Sequence, residues 1–113
     1  MSQNLSIRML PEALRSLAAG SISATYAGIG TAFQNPVRIF HLQNQTDVGL
    51  TFSWDGLTDN VYLPAGAFLL LDVTSNSSLP AGAIYFGQGQ RLYVKGSPTT
   101  GSVYLSIFYG VTP

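Results

Sequence analysis

The sequence predicts an all-β protein: an antiparallel β-sandwich of about eight short strands, jelly-roll-like, with a short N-terminal helix or arm. Three observations predict it. From Ser21 onward the apolar residues recur with period two and are rich in β-branched and aromatic types. Turn chemistry interrupts that pattern about every 8–12 residues. The 113 residues, 46% of them hydrophobic, are enough for one core and too few for two. The expected division is an arm over 1–20 and a sandwich over 21–113.

In the arm, Leu10, Leu14 and Leu17 stand at i, i+4 and i+7, Pro11 suits a first helical position and Gly20 suits a stop. The spacing predicts a helix of about two to three turns. Such a helix is marginal alone, so its leucine face packs either on its own domain or, as an arm, on a neighbour. Strands are then expected at Ile22–Tyr26, Val37–Gln43, Gly49–Trp54, Asn60–Leu63, Phe68–Val73, Ala83–Phe86, Gln90–Lys95 and Ser102–Tyr109. In VGLTFSWD the residues Val48, Leu50, Phe52 and Trp54 share one face, and Gly49, Thr51, Ser53 and Asp55 the other. That alternation fits a sheet with one buried side. Asn35-Pro36, Asp55-Gly56, Asn76-Ser77-Ser78, Gly87-Gln88-Gly89 and Gly96-Ser97-Pro98 mark the reversals. The pentapeptide LPAGA occurs at Leu63–Ala67 and again at Leu79–Ala83. Nothing in it ionises or donates from a side chain, so it reads as a corner turned twice, with proline second and glycine fourth in a type I turn.

The last strand, SVYLSIFYG, is apolar on both faces, with only Ser106 as relief: Val103, Leu105, Ile107 and Tyr109 on one, Tyr104, Ser106 and Phe108 on the other. Either it is central and covered twice within the domain, or its second face meets a partner chain. Tyr104 and Phe108 beside Tyr93 would form an aromatic patch of the kind that marks interaction sites. Charge points the same way. Only 9% of residues are charged, five basic against five acidic, where soluble domains average roughly 25%. Protein interfaces are depleted in charge, so the composition suits association with identical copies; abundant Ser, Thr, Asn and Gln offer a competing route to solubility. Leu10, Leu14, Leu17, Tyr93, Tyr104 and Phe108 are the interface candidates.

Chemistry is sparse. With no cysteine there are no disulfides, thiolate metal sites or cysteine nucleophiles. His41 is the single histidine, at a strand-like position, and builds no triad or multi-histidine metal site. Asp55 and Asp59 flank a glycine and could hold a hard cation, yet Asp-Gly is fully explained as a hairpin connection. There is no phosphate loop. The cations Arg8, Arg15, Arg38, Arg91 and Lys95 are dispersed, which argues against nucleic acid. No apolar run reaches the roughly 20 residues of a membrane helix, and charges within the apolar N-terminal segment argue against a signal peptide. No enzyme activity and no cofactor are therefore expected, and the Asn-x-Ser/Thr triplets at Asn4, Asn44 and Asn76 read as chance. A glycan platform remains open: Trp54-Asp55 with Asp59-Asn60 could present an aromatic beside polar groups, although parity places Trp54 in the core with Phe52 and Leu50.

The segments NPVRIFHLQNQTDVGLTFSWDG, DNVYLPAGAFLLLDVTSN and RLYVKGSPTTGSVYLSIFYG, between Phe33 and Gly110, resemble small virion structural proteins of tailed bacteriophages. The likeness spans about two-thirds of the 113 residues and lies in pattern and phrase, without a catalytic motif. It implies a charge-poor all-β protein that folds in a bacterial host cytoplasm and joins a virion. There it would be a capsid decoration or cement protein, or a tail or head–tail connector component, with major capsid or tail proteins as partners.

Overall fold

The computed structural model describes residues 8–72 and 89–111. In chain order these residues form β1 (Arg8–Pro11), β2 (Arg15–Ala18), one 3-10 turn (Ala19–Ser21), β3 (Ala27–Gly28), β4 (Ile39–Thr46), β5 (Leu50–Ser53), β6 (Val61–Leu63), β7 (Phe68–Asp72), β8 (Tyr93–Lys95) and β9 (Gly101–Val111). Two antiparallel sheets result. One runs β1-β9-β4-β7, with β2 also paired to β9; the other runs β3-β8-β5-β6.

The pairings nest. With β1 and β2 counted as one interrupted strand, the first strand pairs the last, β3 pairs β8, β4 pairs β7 and β5 pairs β6. Successive pairs alternate between the two sheets. Among the described residues this makes an eight-stranded antiparallel ribbon wound into a sandwich, the jelly-roll arrangement.

The N-terminal helix does not form. The register explains why its leucine spacing misleads. Pro11 stands opposite Phe108 and Arg15 opposite Leu105, so three residues, Glu12 to Leu14, face only two, Ile107 and Ser106. This is a one-residue β-bulge. It reverses the alternation, so that Leu10 and Leu17, seven residues apart, both lie on the core side. Leu14 is turned out and 61% exposed. A bulged strand thus imitates helical spacing. Pro11 ends β1 at the edge of the sheet, where a missing N–H costs little.

The expected strand at Ile22–Tyr26 is also absent. The Ser23 hydroxyl accepts from the Thr25 N–H and bends the chain, so Ile22 enters the core from a loop. The strand begun at Val37 shifts to Ile39–Thr46, and the one begun at Gln90 shortens to Tyr93–Lys95. Ala83–Phe86 and the second LPAGA lie outside the described residues. The first LPAGA is a corner, but not of type I. The Ala67 N–H closes on the Pro64 carbonyl at 3.0 Å, and Gly66 occupies the third position at φ 79°. A left-handed third residue is the geometry glycine supplies in a type II turn.

The core is the space between the sheets. Phe40, Leu42, Val103, Leu105 and Ile107 from one sheet meet Leu50, Phe52, Leu63 and Val94 from the other. Ile22, Ile29, Phe33, Val37 and Leu92 close it from loops. Trp54 packs against this cluster and meets Phe40 edge-on at 5.3 Å, as its parity predicts.

Candidate assembly surface

The alternation that buries one face of the five-stranded sheet fixes what the other face shows. Its cross-strand rows read Ser16–Tyr104–Gln43–Phe68, then Ser106–His41–Leu70, then Pro11–Phe108–Ile39–Asp72, with Met9 beyond them. Phe68 is 62% exposed, Leu70 58% and Met9 40%. Tyr104, Phe108 and Ile39 are half-buried. His41 meets the edge of Phe68 at 5.5 Å and lies 3.4 Å from the Gln43 amide. Among the described residues the register gives this face a single charged side chain, Asp72, at its corner. Aromatic and methionine side chains with little charge match the composition of buried interface centres.

The structure brings together only some of the sequence candidates. Tyr104 and Phe108 share this face two residues apart on β9. Tyr93 does not join them: it sits on β8, on the outer side of the opposite sheet, against Gly56. The expected three-membered patch therefore does not exist, because β8 and β9 belong to different layers. Leu10 and Leu17 face the core side, leaving Leu14 as the exposed leucine of the N-terminal segment. Phe68 and Leu70, the most exposed apolar side chains of the face, were not singled out. The signal was present: FLLLD is apolar at both parities, the criterion that drew attention to the last strand.

The bulge is held by a charged clasp. Arg15 faces inward at the sheet edge, with its side chain 5% exposed, and its Nη2 donates to Glu12 at 2.7 Å and to the Ala32 carbonyl at 2.9 Å. Its Nε donates to the Thr31 carbonyl at 2.8 Å, and its guanidinium lies 5.3 Å from the centre of the Phe33 ring. The Glu12 carboxylate also accepts from the Gln34 N–H and the Asn35 amide. Burial alone would raise the Glu12 pKa, but the hydrogen bonds from Asn35, Arg15 and Gln34 outweigh it and hold the acid below its ordinary range. Gly30, at φ 63°, passes so close that a Cβ would sit 2.7 Å from Arg15 Cγ. Inward-pointing charge is one way a sheet edge avoids unwanted pairing. Glu12, Arg15, Gly30, Thr31 and Gln34 line, with Ala13, Leu14 and Ser16, a cleft of about 340 Å³, whose two charged groups are engaged with one another.

Asn44 is a second polar anchor that sequence reading passed over. It is fully buried, and its amide donates to the carbonyls of Val48, Leu63 and Pro64 while its oxygen accepts from the Thr46 N–H and hydroxyl. It ties the β4–β5 turn to the LPAGA corner. Such burial leaves no room for a glycan on its triplet. In the Asp55-Gly56 loop, Asp55 Oδ1 accepts from the N–H groups of Leu57 and Thr58, which with the Ser53 hydroxyl keep the acid strongly ionised. Among the described residues no three His, Cys, Asp or Glu side chains cluster as metal ligands, and no helix is long and apolar enough to cross a membrane.

No family model matches the sequence, and no curated protein matches it. Among solved structures the chain is similar to one described as "Bacillus endospore appendages form a novel family of disulfide-linked pili", with a TM-score of 0.50 and 14% identity. The likeness covers 99% of this chain and 96% of that one. At that identity it is a likeness of fold.

Proposed function

We propose that the protein is a non-enzymatic structural subunit that self-associates through the outer face of the five-stranded sheet to build a larger particle. The observation that carries the proposal is the ion-poor surface of Phe68, Leu70, Met9, Tyr104 and Phe108 on an otherwise closed sandwich. Burying such surface is the main source of association free energy, and many weak copies of one contact add by multivalency. Three of the five acids are spent on local structure: Asp55 on its own turn, Asp47 on Thr99 and Thr100, Glu12 on the clasp.

The sequence resemblance supports a bacteriophage virion as the particle, with this chain as a capsid decoration or cement protein. Such a protein binds only the assembled lattice and stabilises it by mass action. A tail or connector position is the variant of that reading. The likeness of fold to an appendage subunit supports a second reading, a filament of identical copies. In that case the contacts differ in kind from those of disulfide-linked pili, because these 113 residues contain no cysteine. Non-covalent burial must then hold the particle together.

Light scattering and electron microscopy on the purified protein test the shared core of these readings. Self-association at high concentration is expected, and Leu70→Asp or Phe108→Asp should yield folded monomers. A wild-type monomer at all concentrations, or assembly unaffected by both substitutions, overturns the proposal. Filaments favour the appendage reading; closed oligomers that bind a capsid shell favour the virion.

A further inference from the structure

The outer face of the other sheet has a different character. Across it run Lys95 of β8, Thr51 of β5 and Tyr62 of β6, with Tyr26 beside Lys95, whose ammonium lies 4.8 Å from the centre of the tyrosine ring. Asp59 joins them: its Oδ1 accepts from the Tyr26 hydroxyl at 2.5 Å and pairs with Lys95 at 3.0 Å. Here charges are present but mutually neutralised, and tyrosine replaces phenylalanine and leucine. Tyrosine with small polar side chains is the vocabulary of adaptable recognition rather than of permanent burial.

Within this face Thr51, Asp59, Asn60, Val61 and Tyr62 line an open cleft of about 310 Å³. Tyr62 is 63% exposed, yet its position is fixed from below. It lies over Gly49, where a Cβ would stand 1.8 Å from the phenol oxygen, so its outer ring face is open to solvent. Asn60 is oriented too: its Oδ1 accepts from the Trp54 N–H at 3.0 Å and its own N–H donates to the Phe52 carbonyl at 3.0 Å. That commits the amide oxygen and leaves Nδ2 as an unused donor among the described residues. Asp59 Oδ2, on the preceding residue of the same cleft lining, is likewise an unused acceptor among the described residues.

We propose that this cleft binds a neutral pyranose of a glycan. An aromatic plate, a carboxylate oxygen and an amide N–H₂ at adjacent positions suit a sugar. Its C–H face stacks on Tyr62, one hydroxyl donates to Asp59 Oδ2 and its neighbour accepts from Asn60 Nδ2. Lys95 neutralises Asp59, so the cleft has no excess charge to select an ionic ligand. Its volume lies near the lower bound, about 300 Å³, of small-molecule sites. Trp54 is not the platform, because it packs on Phe40 in the core. The site lies on the side away from the assembly face, so the two functions can be tested separately.

The test is a ¹H–¹⁵N NMR titration of the full chain with methyl α-mannopyranoside, methyl β-glucopyranoside, methyl β-galactopyranoside and N-acetylglucosamine. At least one should shift the amides of Thr51, Asn60 and Tyr62 and the Asn60 side-chain N–H₂. Asn60→Asp keeps the acceptor for Trp54 while removing the donor, and should weaken binding about tenfold, the loss of one hydrogen bond. Tyr62→Ala should weaken it at least as much. No shift in this cluster with any of the four sugars overturns the proposal, as does binding undiminished in folded Asn60→Asp and Tyr62→Ala proteins.

Discussion

Glu12→Gln is the sharpest probe of the N-terminal clasp. The side chains of Glu12 and Arg15 are 3% and 5% exposed, so the substitution removes the countercharge of a largely buried guanidinium. Breaking one partner of a buried pair costs about 3–5 kcal/mol. Arg15 keeps the carbonyls of Thr31 and Ala32, which places the cost at the lower end, about 3 kcal/mol. For a domain of this size each kcal/mol lowers Tm by about 4 °C, giving a fall of about 12 °C. Thermal and urea unfolding followed by circular dichroism and by the single tryptophan, Trp54, measure it, with an unchanged urea slope as the sign that only stability moved. The double variant Arg15→Met/Glu12→Gln removes the stranded charge and should recover most of the loss. The pH dependence has a definite sign. The Glu12 pKa is lowered on folding, so its stabilisation is full above the ordinary value of 4.5 and lost as pH falls through the folded value; the gap between wild type and Glu12→Gln should close in acid. A Tm shift in the single variant below about 2 °C, or a double variant as unstable as the sum of its parts, would refute the role given to the clasp.

Two further outcomes follow from the polar anchors. Asn44→Ala removes the amide partner of the Leu63 carbonyl and the acceptor of the Thr46 N–H, while the Thr46 hydroxyl keeps the Val48 carbonyl and the Pro64 carbonyl keeps the Ala67 N–H, so a loss of about 3 kcal/mol is expected in urea unfolding; a loss under about 1 kcal/mol would mean that water replaces the amide. Asp47 is held at about 2, first by the hydroxyl of Thr99 and then by the N–H groups of Thr99 and Thr100. A depressed carboxylate stabilises above its unfolded value of 3.8 and stops doing so as pH falls toward 2, so Asp47→Asn should flatten the urea midpoint against pH in that window, and an unchanged acid slope would contradict the assignment.

The sequence was most legible where one strand has one buried face. VGLTFSWD alternates cleanly, and its inner residues Leu50 and Phe52 are fully buried with Trp54 packed beside them. It misled where alternation breaks. Leu10, Leu14 and Leu17 satisfy a helix because an odd separation of seven residues cannot keep one face in a regular strand; the bulge at Glu12–Leu14 is a tertiary event, fixed by Gln34 and Asn35 some 22 and 23 residues away. The inward turn of Arg15 is likewise not local: beyond Glu12, its acceptors are carbonyls of the Thr31–Ala32 loop. Tyr93 was grouped with Tyr104 and Phe108 because parity gives the face of a strand but not its layer. Layer depends on strand order, and here the nested pairing sends β8 and β9 to opposite sheets. Parity put Tyr104 and Phe108 together on one face of the last strand and could not place Tyr93.

The two outer faces are what the jelly roll leaves for function, and their difference carries thermodynamic weight. Burying a fully exposed Leu or Phe side chain contributes about 1.5–3 kcal/mol. Phe68 and Leu70, each more than half exposed, therefore hold about 2–3 kcal/mol of unused stabilisation per copy before Met9, Tyr104 and Phe108 are counted. A contact between copies can draw on that without desolvating an ion, apart from Asp72 at the corner. The opposite face offers less, with Tyr62 as its exposed aromatic. There Lys95, Asp59 and Tyr26 satisfy one another, and covering them would exchange hydrated pairs for buried ones at little or negative return. Association should then proceed through one side of the sandwich and leave the tyrosine side in water, which is the arrangement a subunit needs if it is both to build a particle and to present a ligand site on its surface.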